Sequence, residues 1–482
     1  MLDLWHGTDG ADRFDLSALP WWRVCRVDAV APGEGVVQTF LDELCKAFAD
    51  QGHEVGRPAS TAEAGSVAGA GTRRRVELDV LLVHIPVPSG PGALMERVAE
   101  QYPPLMVNLR RTGHVRGGVR NLVGVFQVDE PLAGAKHLEV VQLARVLMAR
   151  VGTPKTLFLY PDPESGQIVE ATLCTMEGGH PSVSTDIVND IRDRLVAVAC
   201  ATEVNDRLEQ VPAAIAPAAF DAARSPRALV AAGRRMGRLG LLPPPHRVSD
   251  YVSVGMAAAY QRYVGIKGFS EGMMFVYDPD LQALVVTASG SFEVDKRDLK
   301  PEDVVVVDHQ LADGRLRVLT VAGVGAKGPS VEAWEVCSLM AAAPKIRVSK
   351  DAGGIWRPDP NGTVEVPAVR GGLHAHVGVD EADETLIESV PPDRATYPYG
   401  FGCGTDLMVD VAAATVRRSQ AINSADDQRS YVRWPMLYHG EMALELWTPE
   451  VPDEPLTGLL DLFDPAGRAA IAFRTDNVDQ PV

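Results

Sequence analysis

The sequence predicts a two-domain protein of mixed α/β (α+β) class, an N-terminal α/β layer domain followed by a C-terminal domain built on a largely antiparallel sheet. Three observations predict it. Strand-like and helix-like segments alternate from Trp21 to about residue 200, the pattern of an α/β layer. Short apolar runs between 272 and 320 lie close together and are joined by turns, which favours antiparallel pairing. Between them, 208–225 is rich in Ala and Pro and reads as a linker. The expected layout is a tail over 1–20, an α/β domain over 21–207, the linker, and a second domain over 226–482.

Along the first domain, Trp22–Val30 reads as a strand and 35–51 as a helix, joined by a Pro-Gly turn. Gly56–Thr72 is Gly, Ala, Ser and Thr-rich and reads as an exposed loop. Val76–Ile85 is a buried strand, 92–101 a helix and 104–109 a strand. Asn121–Val128, His137–Val151 and Lys155–Tyr160 continue as strand, helix and strand, and a helix over 185–201 closes the domain. In the second domain, Pro226 opens a helix over Arg227–Leu241 that Pro243-Pro244-Pro245 terminates. Strands are expected at Gly272–Asp278, Ala283–Thr287, Val304–Val307 and Arg315–Thr320.

Composition excludes several classes of function. The 482 residues are 46% hydrophobic and 23% charged, with a formal net charge of −18. Nucleic-acid and anionic-membrane binders need an excess of Lys and Arg, so neither partner is expected. The six cysteines contain no C-x-x-C pair, which argues against a disulfide framework and a thiolate zinc site. No stretch approaches the roughly 18 apolar residues of a membrane span, and no basic-then-apolar leader opens the chain. A cytoplasmic protein acting on a small molecule is the expectation.

His374-Ala375-His376 is the feature with most chemistry. Imidazoles at i and i+2 share one face of a strand, so both can reach one ion. His439 follows the apolar run Trp434–Tyr438 and precedes Gly440, at a strand end where a side chain can face a cleft.

These residues fall within a longer ordered set. The helix 228–241 is followed by Gly268-Phe269-Ser270-Glu271-Gly272 with Val276-Tyr277-Asp278, then Thr287-Ala288-Ser289-Gly290. Next come Leu299-Lys300-Pro301-Glu302-Asp303-Val304-Val305, Gly328-Pro329-Ser330-Val331-Glu332-Ala333 and the histidine pair. Tyr397-Pro398-Tyr399, Gly404-Thr405-Asp406-Leu407 and His439-Gly440 complete it. In order and spacing the set resembles the class II (metal-dependent) aldolases, with the related adducin head domains and sugar-phosphate epimerases. The resemblance covers about 225–445; no family is recognised for 1–210. It implies a central antiparallel sheet flanked by helices, with His374, His376 and His439 holding one divalent ion. Zinc is the first expectation, with manganese, iron, cobalt or nickel as alternatives. Three neutral nitrogens leave the ion its charge, able to polarise a carbonyl and stabilise an enediolate. Glu332 would be the general acid/base, the plainer alternative being a solvated carboxylate at a helix start. Gly272, Ser289, Gly290 and Ser330 would contact substrate. A homo-oligomer is also implied, since sites in the family often lie between subunits.

Departures from the family pattern narrow the substrate. Met273 and Phe275 stand where phosphate-handling members carry Asn and Ser, and Val331 replaces a second Ser. Apolar groups cannot hydrogen-bond a phosphate, so a non-phosphorylated carbonyl acid is expected. An insertion, Val348–Arg370, would be a lid or an extra hairpin. The family's tyrosine acid has no clear counterpart; Tyr399 and Tyr438 are the substitutes, against ordinary packing. In the first domain, the segment Arg110–Arg120 combines glycines and arginines that suit an anion, or simply a basic surface loop. The expected activity is aldol-type carbon–carbon cleavage or condensation, or decarboxylation. Epimerisation, dehydration, metal-dependent oxygenation and a degenerate, adducin-like binding module are the rivals, because one scaffold serves many reactions.

Overall fold

The structure is a computed structural model. It describes residues 22–30, 34–56, 78–86, 119–132, 137–151, 155–175, 179–182, 186–200, 208–239, 272–288, 303–310, 314–323, 327–375, 430–436, 440–450 and 452–463, with a few isolated positions. Expected segments at 92–101, 104–109 and 110–118, and the tail 1–20, lie outside the described residues.

Among the described residues the first sheet has seven strands: β1 (Arg26–Val30), β2 (Glu54–Val55), β3 (Leu78–His84), β4 (Val119–Gln127), β5 (Lys155–Pro161), β6 (Ile168–Cys174) and β7 (Gly179–Ser182). Their order is β2-β1-β3-β4-β5-β6-β7. The first five are parallel, and β6 and β7 append as antiparallel neighbours. Helix α1 (Val36–Asp50) links β1 to β2 in one direction across the sheet. Helix α2 (His137–Val151) links β4 to β5 in the other. Right-handed crossovers running in opposite directions must cover opposite faces, and they do. Phe40, Leu41, Leu44 and Phe48 of α1 share a core with Leu195 of α3 (Ile187–Cys200). Val140, Ala144, Leu147 and Met148 of α2 pack on Phe126 and Phe158 in a separate one. Among the described residues strand and helix alternate at β1-α1-β2 and β4-α2-β5, with β6 and β7 added.

The segment expected to be a linker is not one. Leu208–Ile215 forms β8, parallel to β14 (Leu316–Val321), and 217–222 is a short helix, α4. The strand was hidden because it is a sheet edge: most of its residues are at least partly exposed, so no apolar run marks it. It carries Pro212, which an edge tolerates because an outward-facing position needs no N–H. Ala213 adopts φ +50°, and the pairing shifts register between Leu319 and Val321.

After helix α5 (Ser225–Arg238) come the two-residue pair β9 (His246–Arg247) and β10 (Gly268–Phe269). That pair is a sheet of its own, and the second large sheet continues with β11 (Met273–Asp278), β12 (Ala283–Thr287), β13 (Val304–Asp308) and β14. Helix α6 (Ala333–Ala342) leads into a separate antiparallel sheet of β15 (Lys345–Lys350), β16 (Trp356–Pro358) and β17 (Val364–Pro367). Strands β18 (Val369–Ala375), β19 (Tyr431–Met436) and β20 (Gly440–Leu446), then helix α7 (Thr457–Leu462), complete the described elements. The eight-stranded order is β19-β20-β18-β11-β12-β13-β14-β8, antiparallel except for β8.

Strand alternation gives this sheet two apolar faces. Met273, Phe275, Leu284, Val286, Val305 and Val307 face the layer of α6, packing with Trp334, Val336 and Met340. Met274, Val276, Val285, Val306 and Leu373 face the other way, onto Leu229, Ala232 and Met236 of α5 and Leu459 and Leu460 of α7. Ser225 ties the start of α5 to the sheet by donating to Asp278 at 2.7 Å, and Asp278 also accepts the N–H groups of Asp280 and Leu281.

The insertion 348–370 is a hairpin-like sheet, and its position rules out a lid. β17 ends at the start of β18, whereas His374 lies near its end. Five steps of β18, roughly 17 Å, separate its first residue from His374, and Lys350 of the insertion pairs with Asp280 in the turn at the opposite end of β11 from Met273.

Two glycines fix β18. A Cβ on Gly372 would lie 2.6 Å from the carbonyl oxygen of Ala443 and 2.7 Å from the ring of Phe275; on Gly371 it would lie 2.7 Å from the carbonyl oxygen of Phe275. Gly372→Ala is expected to lower stability by about 1–3 kcal/mol or more through overpacking, read as a lower denaturation midpoint in urea. A second prediction concerns acid. His53, His84 and His309 are all held below their ordinary value of 6.5, burial being the first cause in each; Arg192 adds to it at His53 and Lys345 at His309. The folded chain keeps them neutral while the unfolded chain takes up protons below about pH 6.5. Their contribution is thus intact above that pH and lost as pH falls through the lowered values. Unfolding midpoints measured from about pH 8 downward should stay level and then decline below about pH 6.5. His309→Phe should make that decline shallower, and an unchanged slope would rule His309 out as a contributor.

Candidate functional site

One end of the eight-stranded sheet carries four of the residues expected at the site: Gly272, Ser330, Glu332 and His374. Met273, the first residue of β11, pairs with His374 near the end of β18; His374 pairs in turn with Met442 near the start of β20. Gly272 immediately precedes β11 and adopts φ +76°, a left-handed conformation that suits glycine. On the other side of β11, Thr287 ends β12, and its hydroxyl accepts the N–H of Met274 at 3.4 Å. The carbonyl of Thr287 accepts the N–H of Ser330 at 3.0 Å, while Ala288 bridges Pro329. Ser330 and Glu332, at the start of α6, are thereby pinned to the end of the sheet that carries His374. Thr287 and His374 stand two strand spacings apart, roughly 10 Å.

The face is also shared. Leu373 and Ala375 point to the core of α5 and α7, so His374 between them points to the layer of α6. Its side chain is 1% exposed. Glu332 is only 4% exposed, so it is not the solvated helix-start carboxylate that the plainer alternative supposed. The hydroxyl of Ser330 donates to Oε2 of Glu332 in a short contact. Ser330 is thus engaged with the carboxylate, a role the sequence did not suggest for it.

The remaining site expectations divide by where they fall. His376, His439, Ser289, Gly290, Tyr399 and Tyr438 lie outside the described residues. The residues adjoining two of them are placed: Ala375, which precedes His376, pairs with Glu441, the second residue of β20, and Gly440, which follows His439, opens that strand. Among the described residues no three His, Cys, Asp or Glu side chains gather into a metal-holding group, as follows from only one of the three expected ligands being among them. His374 is buried and in register with two methionines, and an imidazole suits a d-block ion better than a hard one.

Several groups around the site were not singled out from the sequence. Glu335 follows Glu332 by one helical turn and is fully buried; a carboxylate in an otherwise apolar helix, Ala333–Ala342, was the available signal. Asp303, in the L-K-P-E-D-V-V segment, is structural. It accepts the N–H of Lys300 at 2.9 Å and pairs with Lys327 at 2.5 Å, while its backbone carbonyl accepts the N–H of Ala288. At the far end of β18, Arg370 and Glu445 form a buried ion pair at 3.0 Å. Burial pushes the Glu445 carboxyl up and the Arg370 guanidinium down, each partly offset by the other's charge.

No known family profile matches the chain, and no curated protein matches it. Among solved structures, an L-fuculose 1-phosphate aldolase is similar over 41% of this chain and 72% of its own, at 15% identity and a TM-score of 0.23. The ADP complex of Bacillus subtilis pyridoxal kinase is similar over 38% of this chain and 87% of its own, at 10% identity and a TM-score of 0.20. At such TM-scores neither similarity bears on the fold or the activity of this chain. No helix among the described residues is long and apolar enough to cross a membrane.

Proposed function

We propose that the chain is a metal-dependent lyase of class II aldolase type, acting on a small, non-phosphorylated carbonyl acid by aldol cleavage or condensation, or by decarboxylation. The observation that supports it best is the convergence of His374 with the Ser330–Glu332 pair on one face and one end of one sheet. His374, His376 and His439 would hold the ion, zinc first. Bound there, a divalent ion supplies Lewis-acid polarisation of a substrate carbonyl. Glu332 moves the proton at the adjacent carbon, and the Ser330 hydroxyl holds one of its oxygens in place. Gly272, Ser289 and Gly290 contact the substrate. Tyr399 is the proposed second proton donor.

The apolar character of the site supports the absence of a phosphate. Met273 and Phe275 are fully buried on the His374 face, and neither can donate to a phosphate oxygen. The same reading takes the protein as a cytoplasmic homo-oligomer without nucleic-acid or membrane partners.

Purified protein should carry about one divalent ion per chain by elemental analysis, and His374→Ala should lose it. A metal-free wild type would overturn the reading and favour a binding module. Once a substrate is found by screening keto acids, Glu332→Gln should lower kcat by about 10²–10⁴ while leaving metal content unchanged. Equal loss of metal would instead assign Glu332 a structural part.

A further inference from the structure

The row that contains His374 combines one imidazole with two methionines. Met273 pairs with His374 from β11, and Met442 pairs with it from β20. Directly opposed residues of antiparallel strands project to the same face, with Cβ atoms about 4.5–5.5 Å apart. The core memberships agree: Met273 and Met442 both face the layer of α6, while Met274, Leu373 and Ala443 face the opposite one. One imidazole is therefore flanked on both sides by thioethers. All three side chains are at most 1% exposed.

We propose that Met273, His374 and Met442 form a thioether–imidazole–thioether site for copper(I). Thioether sulfur is neutral, polarisable and a poor donor to hard cations, so a set with two of them selects soft monovalent copper. Burial strengthens that choice. A single positive charge costs less to desolvate than a double one. Methionine in a core usually serves as an adaptable filler. The feature that distinguishes this pair is registration, since each opposes the same imidazole on the same face. The site rests on the placement of His374 and not on the lyase reading. Because it shares that imidazole, copper(I) should compete with the proposed divalent ion.

The test titrates metal-free full-length protein anaerobically with copper(I) against a chromophoric copper(I) chelator, and records copper X-ray absorption on the loaded protein. Wild type should take up about one equivalent with sulfur in the first coordination shell. Met273→Leu with Met442→Leu conserves volume while removing both sulfurs. It should weaken copper(I) binding at least about tenfold and leave zinc binding within about threefold. Copper(I) affinity unchanged in the double variant, or no sulfur in the spectrum of the wild type, would overturn the proposal. Selenomethionine-labelled protein decides even if the variant folds poorly: copper–selenium scattering comes from methionine and not from the six cysteines, and its absence would overturn the proposal. Failure of the lyase reading looks different: no divalent ion is retained, yet methionine-dependent copper(I) binding persists.

Discussion

The ring of Phe275 lies where a side chain on Gly372 would stand, and the carbonyl oxygen of Ala443 closes the same space from the other side. β18 runs between β11 and β20 with almost no clearance, and this closeness organises the second half of the chain. A strand without side chains at 371 and 372 can be gripped by both neighbours at once. A register slip would push Arg370 or Leu373 into a gap that admits neither, and would turn each side chain to the opposite face. The position of His374 is therefore set three strands deep in a sheet, by backbone and ring contacts two residues away.

The other end of β18 is held by charge. Arg370 pairs with Glu445 and also donates to the carbonyl oxygens of Pro452 and Asp453 at 2.7 and 2.8 Å, while its guanidinium lies 5.1 Å from the Trp447 ring centre. Buried ion pairs seldom add much net stability, but losing one partner is costly because the other charge is left stranded. Here the pair ties the strand to the segment leading into α7. The three-stranded insertion of β15, β16 and β17 sits beyond that end, away from His374. Anchoring and chemistry thus occupy opposite ends of one strand.

Elements with strong periodicity or long apolar runs were legible in the sequence. His137–Val151 and Ala283–Thr287 have the bounds expected of them, and α1, α3, α5, β3 and β13 differ by a few residues. The edge strand β8 was not legible, because an exposed, proline-bearing strand has neither an apolar run nor clean alternation. β6 and β7 were missed for a related reason: short strands take their stability from partners rather than from local preference. At the candidate site, His374, Glu332, Ser330 and Gly272 were named from motif order. The hydroxyl–carboxylate contact between Ser330 and Glu332 was not, since spacing in the chain says nothing about which of two polar neighbours engages the other.

By itself the sequence determined the alternation of an α/β layer in the first half, the turn-linked strands of the second, and the residue types able to do chemistry. Those features are local, set by side-chain periodicity, glycine and proline, and acid–base or ligand character. Tertiary structure decided that 208–215 joins the second sheet and that 348–370 is no lid. It also decided that Glu332 is buried and that His374 lies between two methionines. Each of these depends on which strands become neighbours and in what register, a choice made by packing between residues tens to hundreds of positions apart.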